Sequence, residues 1–512
     1  MLGGRCDSVG HAYECSRAII PDVYPPRSFA ALSRALLSLA ACCCVLLAAP
    51  AAGAAQRLPP EVSAALQRAG VPEDALFVVV TEAGSGRSAL QWQDEVPVNP
   101  ASLAKLLTTI AALERLGPAW SWATPVWLDG PIVDGVLQGS LHVRGSGDPK
   151  LVLERVWLLL HRVRQFGVRE IRGDIVLDGS AFAAPEASPA DFDGEPLRPY
   201  NVKPGALLLN FRSVLHTFVP DAAAGIARVL VEPVLAGTQA DRTVPLAGGP
   251  CGDWRGALKA SFEPGRTRFA GAYPLACGEM TWAVADPVPE TYDARLVQAL
   301  WAEMGGRLSG RVREGPAPAD RPPAFELRSP PLAEVVRDIN KFSNNVMAQQ
   351  LFLTLALQAA PGQPATPQAA RETLARWLAE RTGEAGDGFV IDNGSGLSRA
   401  TRISARRLAR LLLQTWDGPV MSELMSSLPI GGSDGTLRRA PMAPGRAHLK
   451  TGSLRDVSGL AGYVLSDSGR RYVLVAIVNH PRAGLARPAL DALVQWTLRD
   501  APAGRRAAPP GG

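Results

Sequence analysis

Lysine is the scarce residue of this 512-residue chain. Of 53 lysines and arginines, only six are lysine: Lys105, Lys150, Lys203, Lys259, Lys341 and Lys450. Arginine supplies fixed charge but keeps its proton, whereas lysine can be tuned to act as a base. Other shortages narrow the chain further. The net charge of +5 is small for this length, and no basic run is interleaved with aromatics, which gives no reason to propose a nucleic-acid partner. No Cys/His spacing suggests zinc, so no metal or other cofactor is implied. No internal repeat is present. The apolar stretch Ala35 to Ala49 is too short and too rich in alanine for a membrane span.

That same stretch has another use. Arg27 and Arg34 precede it and small residues follow through Ala55, the charged, apolar, small-residue order of a secretory signal. Cleavage is expected near Ala54 or Ala55, giving an exported, periplasmic protein, with peripheral membrane contact left open. A lipoprotein site at Cys42 is disfavoured because the apolar run continues past it. Of the seven cysteines, Cys6, Cys15, Cys42, Cys43 and Cys44 lie at or before this region. Cys251 and Cys277 remain, and a pair of cysteines in an oxidising compartment is expected to form a disulfide, with two free buried thiols as the alternative.

Residues 75–82 read as a buried strand with a hairpin partner over 88–93. A helix is expected from about Ser102 to Leu116, closed by Gly117 and Pro118. Residues 124–285 alternate short β-like runs with turn clusters around one helical stretch, Leu151 to Phe166, and read as one or two mostly β modules inserted into another domain. Helical pattern returns over 293–304, from Leu332 to about Leu357, and over 369–381 and 403–415. The strand-like runs 448–454, 459–465 and 471–479 and a closing helix, 488–499, complete the pattern. The expected divisions are 1–55 (signal and extension), 56–123 with 286–500 (one domain), 124–285 (the insert) and 501–512 (a disordered tail). The terminal strands are expected to share one antiparallel sheet with helices on its faces, an α/β (α+β) architecture.

Two of the six lysines sit in short patterns that need one: Ser102-Leu103-Ala104-Lys105 and Lys450-Thr451-Gly452. Between them lies Ser343-Asn344-Asn345. Residues three apart on a helix share a face, so Ser102 Oγ and Lys105 Nζ can meet. A serine hydroxyl attacks only when something takes its proton, and an amine can do so if a second cation lowers its pKa. Lys450 is the candidate for that cation. Ser343 can relay a proton to a leaving amine, and Asn345 can orient a lysine and the substrate. Thr451 with Lys450 can bind a carboxylate, Gly452 allows close approach of a substrate backbone, and the N–H groups of Ser102 and Ser453 are candidate oxyanion donors. Each pattern alone is common at helix and strand ends. Three in this order, two of them using scarce lysines, behind an export signal, point to acyl transfer. His142, His161, His216, His448 and His480 read as surface or packing residues.

Ser-x-x-Lys, Ser-Asp-Asn and Lys-Thr-Gly together are the signature of penicillin-binding proteins and class A β-lactamases. With Ser-Asn-Asn in the middle, the chain resembles the D-alanyl-D-alanine carboxypeptidase/endopeptidase family, the class C low-molecular-mass penicillin-binding proteins (peptidase S13). The resemblance extends to the insert of about 240 residues between the first two motifs, to Gly145-Ser146-Gly147-Asp148-Pro149, to Tyr273-Pro274 ahead of Cys277-Gly278-Glu279, and to Asp392-Asn393-Gly394-Ser395-Gly396-Leu397-Ser398. It implies a transpeptidase-like core, an antiparallel sheet flanked by helices with a helical subdomain, carrying inserted mostly-β domains. It implies Ser102 as acylated nucleophile, Lys105 as base, Ser343, Asn345 and Lys450 in the proton network, and peptidoglycan stem peptides as substrate with β-lactams as inhibitors. An acidic residue of the insert, Asp191 or Asp193, is implied to bind the amino group of the stem peptide, with a solvated loop as the alternative. Asp392 to Ser398 reads as a turn-rich connector touching the site. The competing functions are a β-lactamase, for which no Glu-x-x-Leu-Asn element is found, and a non-catalytic wall-binding or sensor protein.

Overall fold

The computed structural model describes residues 57–184, 187–383, 388–440 and 442–500. The expected signal, its five cysteines and the expected tail lie outside the described residues. The described chain opens with helix α1 (Pro60–Ala69) and the hairpin β1 (Leu76–Glu82) and β2 (Ser88–Trp92). A 3₁₀ turn, Ala101–Ala104, then runs into α2 (Lys105–Leu116), which closes on Gly117 at φ 83°.

The insert follows. It contains β3 (Ala123–Asp129), β4 (Ser140–Arg144), α3 (Leu153–Gln165), β5 (Ile175–Asp178), β6 (Ser213–Asp221), β7 (Ile226–Glu232), β8 (Thr243–Ala247), β9 (Met280–Ala285), α4 (Pro289–Glu303), β10 (Val312–Glu314) and β11 (Phe325–Arg328). The rest is helical and then β: α5 (Leu332–Phe342), α6 (Asn345–Ala359), α7 (Pro367–Thr382), α8 (Ala405–Trp416), α9 (Met421–Ser427), β12 (Ala447–Leu454), β13 (Val457–Leu465), β14 (Arg471–Asn479) and α10 (Arg487–Leu498).

The terminal strands form one five-stranded sheet, ordered β2-β1-β14-β13-β12 and antiparallel throughout. Strand side chains alternate between faces. On β1, Leu76, Val78 and Val80 pack with α1 and α10, while Phe77 and Val79 pack with α2 and the helices α5 to α8. Both faces are covered, so the strand reads as an unbroken apolar run rather than an alternation. Burying each such side chain stabilises by about 1.5–3 kcal/mol. The fold is therefore mixed α/β, with sheets flanked by helices.

The insert extends further than its expected end at 285. Strand β10 pairs parallel with β5, and β11 pairs antiparallel with β3. Helix α4 buries Tyr292, Leu296, Leu300 and Trp301 in the same core as α3. Strands of three and four residues around a Pro-rich stretch give too little alternation to read. Arg328 lies opposite Ala123 in the register, so the chain enters and leaves the insert through neighbouring strands. A second β layer, β8-β7-β6-β9 with Tyr273–Pro274 at its edge, encloses Phe218, Trp254, Phe269 and Tyr273. Cys251 and Cys277 are joined in a disulfide at the edge of this layer. Buried Gln350 of α6 holds the insert to the helices by bonding Gly147 and Gly205.

The helix expected from Leu332 to Leu357 is two helices. Ser343 is left-handed (φ 55°, ψ 36°), which ends α5, and the side chain of Asn344 accepts the Met347 N–H at 3.0 Å to cap α6. Apolar spacing continues across the break. Asp and Asn cap helices about equally well, so Ser-Asn-Asn and Ser-Asp-Asn build the same junction.

Candidate functional site

Ser102 and Lys105 meet through the 3₁₀ turn. Three residues per turn eclipse positions i and i+3, and Lys105 Nζ lies 3.1 Å from Ser102 Oγ. The turn is strained and clamped. Ala101 has φ 47°, its N–H donates to Asn99 Oδ1 at 2.8 Å, and Asn99 exchanges hydrogen bonds with Asn479 across 380 residues. Gly396, at φ 77°, presses on the same turn: a Cβ there would stand 1.9 Å from the Ala101 carbonyl oxygen. A Cβ on Gly452 would stand 2.7 Å from the Pro100 carbonyl oxygen. The closeness that Gly452 was expected to offer a substrate is therefore used against the segment carrying Ser102.

This clamp yields a prediction. Gly396→Ala combines a positive-φ penalty with overpacking, together about 1–3 kcal/mol. It should lower the melting temperature and slow acylation of Ser102 by a penicillin at least tenfold. Calorimetry alongside labelling kinetics checks it, and wild-type values in both would refute the clamp.

Lys105 is fully buried, and its Nζ donates to Asn345 Oδ1 at 2.6 Å and to the Ser395 carbonyl at 2.5 Å. Burial, and after it the charge of Lys450, hold its pKa well below the usual lysine range. Lys450 is equally buried; its Nζ donates to Ser343 Oγ at 2.9 Å and to the Thr451 carbonyl at 2.8 Å. Burial brings its pKa down to about 7. The three sequence patterns therefore converge, with the helix break at their centre. Ser343, before the break, faces Lys450, and Asn345, after it, faces Lys105.

Thr451 Oγ1 donates to Thr436 Oγ1 at 2.8 Å. Ser453 lies two residues further along β12 and is exposed. The Asp392–Ser398 segment is more than a connector, since Ser395 supplies a ligand to Lys105 and the Gly394 carbonyl accepts from Thr108 at 2.7 Å.

The two aspartates of the insert differ. Asp191 accepts the N–H of Ser188, at 2.7 Å, and no other hydrogen bond from the described residues. Asp193 accepts from Tyr200 Oη at 2.8 Å and Asn201 Nδ2 at 2.7 Å, and the Tyr200 carbonyl lies 3.5 Å from Asn345 Nδ2. Partial burial raises the Asp193 pKa, but these hydrogen bonds outweigh it and hold it below the ordinary value. Beside it Phe192 lies under the Arg399 guanidinium, which pairs with Asp456 at 2.5 Å.

Sequence reasoning passed over Lys341. Its ammonium is buried and donates to Asp434 Oδ2 and to the Leu428 carbonyl, both at 2.6 Å, anchoring the loop that carries Thr436 two residues from Ser343. Its scarcity as a lysine was the available signal. Among the histidines, His216 is buried, with its pKa pushed down to about 4 by that burial. Among the described residues, no group of three or more His, Cys, Asp or Glu is arranged to hold a metal.

Residues 58–499 match the model of the D-Ala-D-Ala carboxypeptidase 3 (S13) family. The chain is 29% identical over 459 residues to a D-alanyl-D-alanine carboxypeptidase of Actinomadura sp. (strain R39), covering 84% of this chain and 83% of that protein. It is 24% identical over 385 residues to the D-alanyl-D-alanine carboxypeptidase DacB of Haemophilus influenzae, covering 74% of this chain and 80% of that protein. Among solved structures, penicillin binding protein 4 (dacB) of Haemophilus influenzae superposes with a TM-score of 0.69 at 22% identity, over 85% of this chain and 99% of that one. That likeness is one of fold.

Proposed function

Since the chain belongs to the D-Ala-D-Ala carboxypeptidase 3 (S13) family, we propose that it is a serine D-Ala-D-Ala carboxypeptidase and DD-endopeptidase acting on peptidoglycan stem peptides through an acyl-enzyme on Ser102. The observation that carries this reading is the hydrogen bonding of Lys105. A neutral amine has two N–H groups and one lone pair. Asn345 Oδ1 and the Ser395 carbonyl take the two hydrogens, which leaves the lone pair for the Ser102 hydroxyl.

In the proposed reaction, Lys105 takes the Ser102 proton as Oγ bonds to the carbonyl carbon of the penultimate D-alanine. The oxyanion is received by backbone N–H groups, with those of Ser102 and Ser453 as candidates. The C–N bond then breaks, and the leaving amine takes a proton relayed by Ser343 from the Lys450 ammonium. Thr451 and Lys450 hold the carboxylate of the leaving residue. Lys105 then passes its proton to Lys450, which restores both groups. Water attacks the ester carbonyl with Lys105 again the base, and Lys105 returns that proton to Oγ as the C–O bond breaks and frees Ser102.

A penicillin presents the same carbonyl and carboxylate, so it should acylate Ser102. Fluorescent penicillin should label the wild-type chain and leave Ser102→Ala unlabelled. An unlabelled wild type, or equal label on both, would refute the reading. Release of D-alanine from muropeptides separates it from a non-catalytic binder. The Cys251–Cys277 disulfide supports export to an oxidising compartment, and we place the mature protein in the periplasm.

A further inference from the structure

Beyond Thr451 the structure holds a groove that removal of a single D-alanine does not need. It begins at Thr436, the hydroxyl partner of Thr451, and its volume is about 660 Å³. Phe342, Asp434, Arg438 and Arg439 line it. Sites of about 300–1,000 Å³ hold ligands of many atoms, whereas one alanine fills a small part of that space.

The charge of the groove is one-sided. Among the described residues lining it the one acid, Asp434, is neutralised by Lys341 at 2.6 Å. Arg438 and Arg439 are exposed, and no carboxylate among the described residues pairs with either. Phe342, 69% exposed at the end of α5, adds an apolar wall on which a peptide can lie. The groove is also pre-formed. Asp434 accepts the Ile430 N–H at 2.8 Å, and Gly435 sits so close to the Lys341 carbonyl that a Cβ would stand 2.5 Å from it. Little ordering is then left to be done on binding.

Resting on the reading above, which puts the leaving residue at Thr451, we propose that this groove binds the leaving strand of a peptide crosslink, an acidic peptide of several residues. Arg438 and Arg439 meet its carboxylates and Phe342 its backbone and apolar parts. The groove thus serves cleavage between stem peptides rather than release of a terminal D-alanine.

The experiment compares kcat/KM on two substrates, a pentapeptide ending in D-Ala-D-Ala and a muropeptide dimer crosslinked through D-Ala–diaminopimelate. In the double variant Arg438→Gln/Arg439→Gln, the value for the dimer should fall about five- to tenfold more than that for the pentapeptide, as expected for losing two exposed charge contacts. Arg438→Lys/Arg439→Lys should keep most of the dimer preference. In the wild type that preference should shrink near 1 M salt, where screening reaches about 3 Å. An unchanged ratio between the substrates in the glutamine variant, or a ratio indifferent to salt, overturns the proposal. Labelling by fluorescent penicillin separates the two claims. A wild-type chain that takes no label overturns the acyl-enzyme reading; a labelled variant with the wild-type dimer preference overturns only the groove.

Discussion

Lys105→Arg is expected to slow acylation by a fluorescent penicillin by about 10³-fold, within the range that a general base contributes. Arginine keeps the charge but cannot surrender the proton. Charge alone is also the wrong quantity at this position. Lys105 is fully buried beside Lys450, and both circumstances favour its neutral form. A permanent cation there would meet the same desolvation and repulsion with no means of relief. Stopped-flow labelling measures the effect directly. A variant within about tenfold of wild type would sink the role given to Lys105.

The second large effect concerns Lys450. From the sequence, Lys450→Arg looks milder than Lys105→Arg because the cation is kept. The structure keeps that order but makes the loss larger than charge alone suggests. The slot is closed, with Lys450 fully buried and its ammonium bonded to Ser343 Oγ and the Thr451 carbonyl. A planar guanidinium needs more room and must displace Ser343. We expect acylation to fall by about 10²-fold, an overpacking and misplacement cost of ~3 kcal/mol.

The pH profile gives this prediction a signature. The base must be unprotonated, so kcat/KM rises as pH climbs through the lowered pKa of Lys105. The cation must keep its proton, so kcat/KM falls as pH climbs past the Lys450 value of about 7. The wild type should therefore show a bell whose alkaline limb begins near neutrality, and kcat/KM reports these groups in the free enzyme. Residual activity of Lys450→Arg should lack that limb, because arginine stays charged. If the limb persists unchanged in the variant, Lys450 is not the group that titrates.

Much of this site could be read before folding because its chemistry depends on residue types that are otherwise rare here. Lys105 and Lys450 stood out for that reason, Ser102 stood out by its place three residues before Lys105, and the sheet they rest on was readable from its apolar runs. What stayed hidden has no side-chain signature. The Ser395 carbonyl that fixes Lys105 is a backbone atom, and nothing in Asp392–Ser398 distinguishes a ligand from a turn. The Asn99–Asn479 clamp joins positions 380 apart, beyond any local pattern. Lys341 is a different kind of miss. The scarcity argument applied to it equally, but no familiar motif surrounds it. The end of the insert was lost because β10 and β11 owe their pairing to β5 and β3 rather than to their own sequence.

The adjacency of Ala123 and Arg328 has a consequence for how such an enzyme can change over generations. Neighbouring strands lie about 5 Å apart, so the two cut ends left by excising everything between them could be rejoined by a short turn. Recombination could splice in, enlarge or trim the intervening segment without rerouting the chain that bears Ser102 or Lys450. What such an event would forfeit includes the Tyr200 carbonyl beside Asn345, the grip of Gln350 on Gly147 and Gly205, the Lys150–Asp338 ion pair, and the packing of Phe182 and Ala206 against the helices. Cutting and resealing should therefore alter which wall fragments are accepted before it alters the capacity to form an ester.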